Sequence, residues 1–225
     1  MKKLFLTTAL CVISASAAQA QSMFDGSMQI AVGGVDLEFD QYNLNGGFVV
    51  HSSDQFIVQL DAGVSTGNTD EYNLGVHLGY RLSDQTTLAL YANYNRWDGV
   101  DYNMVGLEAQ HQAGDVELNG FIGYETGFGS EYIYSKFDAT WSLGGASGSS
   151  GLDLTAGFAT YTSVGSSTDP MVFAELDYDF GNNLSGQVGV GYADNDPYLR
   201  LGLTYDFGNG RTFQARDYEN LFMTW

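Results

Sequence analysis

Between residues 198 and 207 the stretch YLRLGLTYDF sets Leu199, Leu201, Leu203, Tyr205 and Phe207 on one side of a strand, and Tyr198, Arg200, Gly202, Thr204 and Asp206 on the other, because successive side chains of an extended chain point to opposite faces. The same grammar recurs along the chain. From 71 to 82, Tyr72, Leu74, Val76, Leu78, Tyr80 and Leu82 share a face, against Asn73, Gly75, His77, Gly79 and Arg81. After Ser83-Asp84-Gln85 the chain returns with Leu88, Leu90, Ala92 and Tyr94 on one side. A soluble sandwich or lectin also alternates, but it hides its apolar face in a core and carries mixed charge outside. Here the face opposite the apolar one is rich in glycine and acids and nearly free of lysine. Each run is about ten residues long, the length a tilted strand needs to cross an outer membrane. The pattern predicts an all-β fold, a transmembrane antiparallel up-and-down β-barrel of about 12 strands with its apolar side outward.

The first residues supply an address. Lys2 and Lys3 precede an apolar run over 4–14 and then Ala18-Gln19-Ala20, the layout of a secretory signal peptide with an A-x-A cleavage site. The expected organisation is a signal peptide over 1–20, a barrel over 21–207 and a C-terminal extension over 208–225. No later stretch approaches the roughly 20 apolar residues of a membrane-spanning helix. Cys11 follows an apolar run, but Leu10 stands where a lipoprotein acceptor site wants a small residue, so lipidation is rejected. Removal of the leader takes away the one cysteine, so no disulfide or thiolate metal site supports the fold.

Charge excludes one class of partner. The chain has 8 basic and 27 acidic residues, and losing Lys2 and Lys3 leaves a net charge of −21, hostile to nucleic acid. With 44% hydrophobic and 14% aromatic residues, the acidity does not signal disorder.

Several details carry weaker expectations. Gly33-Gly34 separates Ile30 and Val32 from the opposite phase of Val35, Leu37 and Phe39, which suggests a glycine bulge. Met104 sits on the face opposite Val105, Leu107 and Ala109. The connections at 83–85, 113–115 and 181–183 read as compact turns facing the periplasm, and those at 65–70, 96–101, 127–131 and 163–170 as longer outer loops. The low-complexity GGASGSSG at 144–151 falls on the short side and breaks that rule. Aromatics gather at both ends, Tyr80, Tyr178, Phe180, Tyr205 and Phe207 at one and Tyr94, Trp97, Tyr124, Tyr161 and Tyr192 at the other, as two interfacial girdles would require.

The segment Arg200-x-Gly202-x-x-Tyr205-x-Phe207 resembles the β-signal of bacterial outer-membrane proteins, and the mature chain is similar to the porin-like barrels of Gram-negative bacteria. The resemblance implies that Arg200, Gly202, Tyr205 and Phe207 are read by the barrel-assembly machinery, and that the chain's surroundings are outer-membrane lipid and lipopolysaccharide. It departs from the family in continuing over 208–225 through Asn209-Gly210, a hairpin-prone pair. That tail is either a periplasmic extension or, through Phe222 and Trp225, the last strand. No segment is long enough to fold inward as the constricting loop of general porins, which implies a narrow or filled lumen.

With apolar faces on lipid, Asp36, Glu38, Asp61, Glu117, Asp138, Asp153, Glu175, Asp177, Asp179 and Asp206 point inward, against Arg81, Lys136 and Arg200. The lumen and selectivity candidates are Asp61, Arg81, Glu117, Lys136, Asp138, Asp153, Glu175, Asp177 and Arg200. Such a balance attracts cations, so the expected function is passive diffusion of small cationic or neutral solutes. The alternative is a barrel plugged by its own charges. Inward glycines Gly75, Gly79, Gly123, Gly189, Gly191 and Gly202 favour open space. The histidines, His51, His77 and His111, form no spacing that compels a hydrolase. Asp177-x-Asp179 and Asp194-Asn195-Asp196 lack the spaced ligands of a calcium loop. Neither a catalytic residue, a metal site nor a cofactor is expected, although acidic loops offer a place for divalent cations that bridge lipopolysaccharide phosphates.

Overall fold

The computed structural model describes residues 25–36, 39–51, 55–67, 70–127, 129–144, 151–163, 168–193 and 196–214. The leader at 1–20, Glu38, Asp194, Asn195 and residues 215–225 lie outside them. The alternating runs become twelve strands: β1 (Asp25–Val35), β2 (Gln41–His51), β3 (Phe56–Thr66), β4 (Glu71–Ser83), β5 (Thr86–Trp97), β6 (Val100–Ala113), β7 (Val116–Gly127), β8 (Ser130–Ser142), β9 (Leu152–Ser163), β10 (Thr168–Gly181), β11 (Leu184–Ala193) and β12 (Asp196–Phe207). Each pairs antiparallel with its sequence neighbour, and β12 pairs with β1 to close the barrel. Closure satisfies every strand's backbone groups inside hydrocarbon, where water cannot.

The outer wall is apolar. Leu74 is 62% exposed, Leu90 and Leu107 are 58% and 57%, and the Asn73, His77 and Asn95 positions that alternate with such residues are buried. A wall of exposed leucines around buried amides is stable only with lipid outside. Phe207 is the exception on that face: its ring lies over Gly26 of β1 and against Phe48, 5.4 Å between centroids, and so it is buried.

Four details differ from the pattern read in the sequence. No bulge occurs at Gly33-Gly34, because Gly33 pairs with Arg200 and Gln41 and Gly34 with Leu199 in unbroken register. β1 simply ends at Val35, Asp36 turns at a φ of 55°, exposed and outside the lumen, and Phe39 belongs to the connection. The contrast between short turns and long loops is absent: Asp98 and Gly99, at φ of 46° and 82°, close β5–β6 as a two-residue turn, and β7–β8 is equally tight. The longest connection, 143–151, lies at the end that carries the termini. Trp97 and Tyr161 have inward parity: Trp97 packs near Tyr102, and Tyr161 stacks on Tyr132 at 4.6 Å. They line the lumen rather than a girdle. Finally, β12 has β11 on one side and β1 on the other and closes the barrel among the described residues; Phe222 and Trp225 lie outside them.

Candidate functional site

Parity decides what enters the lumen, and the inward residues fall into three groups. On β1–β5 they are mostly amides: Gln29, Asn43, Asn45, Asn73, Asn93 and Asn95 are all buried. Asn45 Nδ2 donates to Gln29 Oε1 at 3.1 Å and Asn43 Oδ1 at 2.8 Å. Arg200 Nη2 donates to the same Gln29 oxygen at 2.5 Å. Gln29 reaches Gln187, and Gln187 Nε2 donates to Glu175 Oε2 at 2.7 Å. Arg200 and Glu175 are thereby joined in one network through two amides.

The second group is ionic. His77 Nε2 lies 2.6 Å from Asp61 Oδ2 and its Nδ1 2.7 Å from Glu108 Oε2, all three side chains almost fully buried. Each ring nitrogen therefore shares a proton with a carboxyl group, an arrangement that favours the imidazolium held between two acids. Both nitrogens are committed, which leaves none to activate a nucleophile. Across the ring, Lys136 Nζ sits 3.6 Å from Asp138 and 4.9 Å over the Phe173 ring. Asn119 Nδ2 donates to Glu117 at 3.0 Å and to Asp138 at 3.1 Å.

The third group is apolar, and the inward glycines gave no hint of it. Tyr91, Met104, Phe121, Tyr134, Ala159, Met171, Phe173 and Tyr198 form one buried cluster inside the barrel. Its rings occupy the space the glycines leave. A Cβ on Gly123 would meet Phe121 at 2.7 Å and Met104 at 2.9 Å, one on Gly191 would meet Tyr198 at 2.2 Å, and one on Gly75 would meet Tyr91 at 3.1 Å. Glycine here is a recess for a ring, not an opening.

The chain after β12 also turns inward. Gly208 and Gly210, at φ of 65° and 75°, reverse it, a conformation that favours glycine, and Asp25 Oδ1 accepts from the Asn209 backbone at 3.0 Å. Residues 211–214 then lie inside the wall. Phe213 is 5% exposed and packs with Val49, Ile57 and Ala89, its ring stacked on His77 at 5.2 Å and 3°. Gln59 Oε1 accepts from the Thr212 and Phe213 backbone at 3.0 and 2.8 Å, and Gln59 Nε2 donates to the Phe213 carbonyl at 2.8 Å.

Of the residues singled out by sequence, Asp61 joins the His77 site and Lys136, Asp138 and Glu117 form a second group. Glu175 and Arg200 share the amide network. Asp153 and Asp177 pair across β9 and β10, on the other side of the ring from Asp61. Arg81 is half-buried at the terminal end of β4. Glu108, Glu125 and Gln59, missed in the sequence reading, are inward and buried. Strand parity alone would have found all three. Among the described residues no group of three or more His, Asp or Glu side chains is arranged to hold a metal ion.

A scan against protein-family models found no match, and neither did a search of curated proteins. Solved structures do match. The KdgM porin in complex with disordered oligogalacturonate superposes with a TM-score of 0.64 at 10% identity over 81% of this chain and 99% of that one. The NanC porin gives 0.61 at 9% over 79% and 98%. The COG4313 outer membrane channel from Pseudomonas putida F1 gives 0.58 at 8% over 84% and 98%. The fold is that of an outer-membrane porin. At these identities the likeness extends to the fold alone, and the lumen must be read from its own side chains.

Proposed function

We propose that this porin-like barrel is a narrow outer-membrane channel for small hydrophilic solutes, cationic or neutral. The observation that carries this is the sign of the inner wall. Asp61, Glu108, Glu117, Glu125, Asp138, Asp153, Glu175, Asp177 and Asp206 have inward parity, against His77, Arg81, Lys136 and Arg200 and the tail's Arg211. A low-dielectric wall focuses that excess onto the lumen and raises the local concentration of cations. The KdgM porin was solved with oligogalacturonate, a polyanion. An acid-rich lumen supports the opposite preference here. In planar bilayers under a salt gradient, the expected reversal potential is cation-selective, and Asp61→Asn with Asp138→Asn weakens the selectivity. Anion selectivity would refute the proposed preference.

A second reading, a non-conducting barrel with a structural or surface role, is favoured by the apolar cluster around Phe121 and Tyr134. Absence of current from every variant, including chains that lack the tail, would establish it.

The assembly role of Arg200, Gly202, Tyr205 and Phe207 is supported by β12 being the closing strand, with Phe207 presented on the outer face over Gly26. Tyr205→Ala with Phe207→Ala is expected to lower the amount of folded barrel in cells more than the yield of refolding in detergent. Equal losses would assign these rings to stability alone. Outer-membrane lipid and lipopolysaccharide are the expected surroundings of the apolar wall, and heat-modifiable migration of outer-membrane extracts checks that placement.

A further inference from the structure

We propose that residues 208–214 form a tethered stopper, seated in a socket of the inner wall, that closes the terminal half of the lumen and must withdraw for solute to pass. The proposal rests on the channel reading above and adds its regulation.

Three observations carry it. The segment reaches across the lumen. Arg211 donates to Asn45 on β2 at 3.2 Å, Gln59 on β3 holds the backbone of 212 and 213, and Lys136 on β8 donates to Gln214 at 2.9 Å. β2 and β8 lie opposite each other in a ring of twelve strands, so four residues bridge two facing walls. A segment that bridges facing walls obstructs the path between them.

The wall is shaped for what it receives. Most inward residues of β2 and β3 are polar, yet Val49 and Ile57, with Ala89 of β5, are apolar and enclose Phe213. At Gly79 a Cβ would come within 2.8 Å of the Phe213 ring, so even alanine would crowd the seat. His77 presents its flat face to that ring, and its imidazolium favours an aromatic partner. An apolar patch inside a polar wall has no use in an empty water-filled pore, since each such side chain gains from leaving water.

The contacts are also reversible. Apart from Phe213, the seat is made of hydrogen bonds to side chains, three through Gln59, one each to Asn45 and Gln110, and charge-assisted ones with Lys136, Asp138 and Asp25, and residues 208–214 add no strand to the sheet. Such bonds are each worth about 1 kcal/mol net between neutral groups and about 1.5–3 kcal/mol to a charged one, and all of them end on side chains that can turn to water. The closed barrel does not depend on them, because β12 is already paired on both sides. The stopper can leave without unfolding the wall.

The structure supplies its own test. A Cβ on Gly47 would lie 3.7 Å from the Cβ of Arg211, within the separation that a disulfide spans, and 2.6 Å from Asp61 Oδ1, so the Asp61 carboxylate must shift to admit it; residues 21–225 contain no other cysteine. The variant Gly47→Cys with Arg211→Cys, refolded into planar bilayers, is expected to form this bond on oxidation, to hold current near baseline while oxidised, and to conduct on reduction. Phe213→Ala and a chain ending at Gly208 should conduct several-fold more than the intact chain. Current through Phe213→Ala and through the chain ending at Gly208 no greater than through the intact chain, with all three conducting, would show that the tail does not close the lumen and overturn the proposal. Equal current before and after reduction, at a level above baseline, would overturn the stopper while leaving the channel. Silence in all variants, the chain ending at Gly208 included, would overturn the channel and the stopper together.

Discussion

The two halves of the lumen are narrowed by different means. Toward the far end, where β5, β7 and β9 finish and β6, β8, β10 and β12 begin, Tyr91, Met104, Phe121, Tyr134, Met171, Phe173 and Tyr198 pack against one another from the wall itself. Toward the end that carries the termini, the corresponding space is taken by Phe213 of the tail, packed on Val49, Ile57 and Ala89 of the wall. Wall residues cannot leave without unfolding a strand, whereas tail residues can. The same occupancy therefore means rigidity in one half and a removable part in the other.

The sharpest way to break that contrast is at the ionic site beneath the tail. His77→Leu strands Asp61 and Glu108 as facing buried carboxylates, a loss of about 3–5 kcal/mol for a broken buried pair. The urea midpoint of the refolded barrel should fall accordingly. A neutral effect would mean that the two carboxylates are solvated and that Phe213 does not seal them.

Next in size are matched truncations of rings. Phe121→Ala or Tyr134→Ala, in the wall cluster, should lower stability by about 3–5 kcal/mol. Phe213→Ala should cost the barrel much less, because its loss is limited to the free energy of docking the tail, a local equilibrium separate from global unfolding. Equal losses in urea titrations would show that the tail is a structural part of the barrel.

The smallest effects separate two glycines of β7. Gly123 faces inward with Phe121 and Met104 against its Cβ position, so Gly123→Ala overpacks the cluster, at about 1–3 kcal/mol. Gly120 faces outward with nothing within 4 Å, and Gly120→Ala should stay within about 0.5 kcal/mol. The difference between the two midpoints measures how tightly the far half is filled.

The outer wall was legible in the sequence because strand parity and hydrophobicity report the same thing there: Leu74, Leu90, Leu107 and Leu203 alternate with polar neighbours and meet lipid. The inner wall was less so. Parity placed Asp61, His77, Asp138 and Arg200 inside, but it says nothing of how large side chains from different strands share a closed volume, so Gly75, Gly123 and Gly191 read as space when they are recesses for Tyr91, Phe121 and Tyr198. Glu108 shares its inward face with Met104, and an apolar residue among the polar inward positions of β6 blurs which face is which. The tail was illegible for another reason. Residues 208–214 have no alternation to read, and only the glycines that bracket Asn209 mark a reversal whose direction is set by Gln59 and the apolar socket, both more than a hundred residues away in sequence.

Thiol labelling at two buried alanines tests the central claim most directly. Ala89, 4% exposed beneath Phe213, and Ala159, 0% exposed within the wall cluster, are replaced one at a time by cysteine, in the intact chain and in a chain ending at Gly208. The expected result is that a small water-soluble thiol reagent modifies Ala89→Cys many-fold faster in the shortened chain than in the intact one, and Ala159→Cys in neither. Labelling of Ala89→Cys at the same rate in both chains would contradict the account.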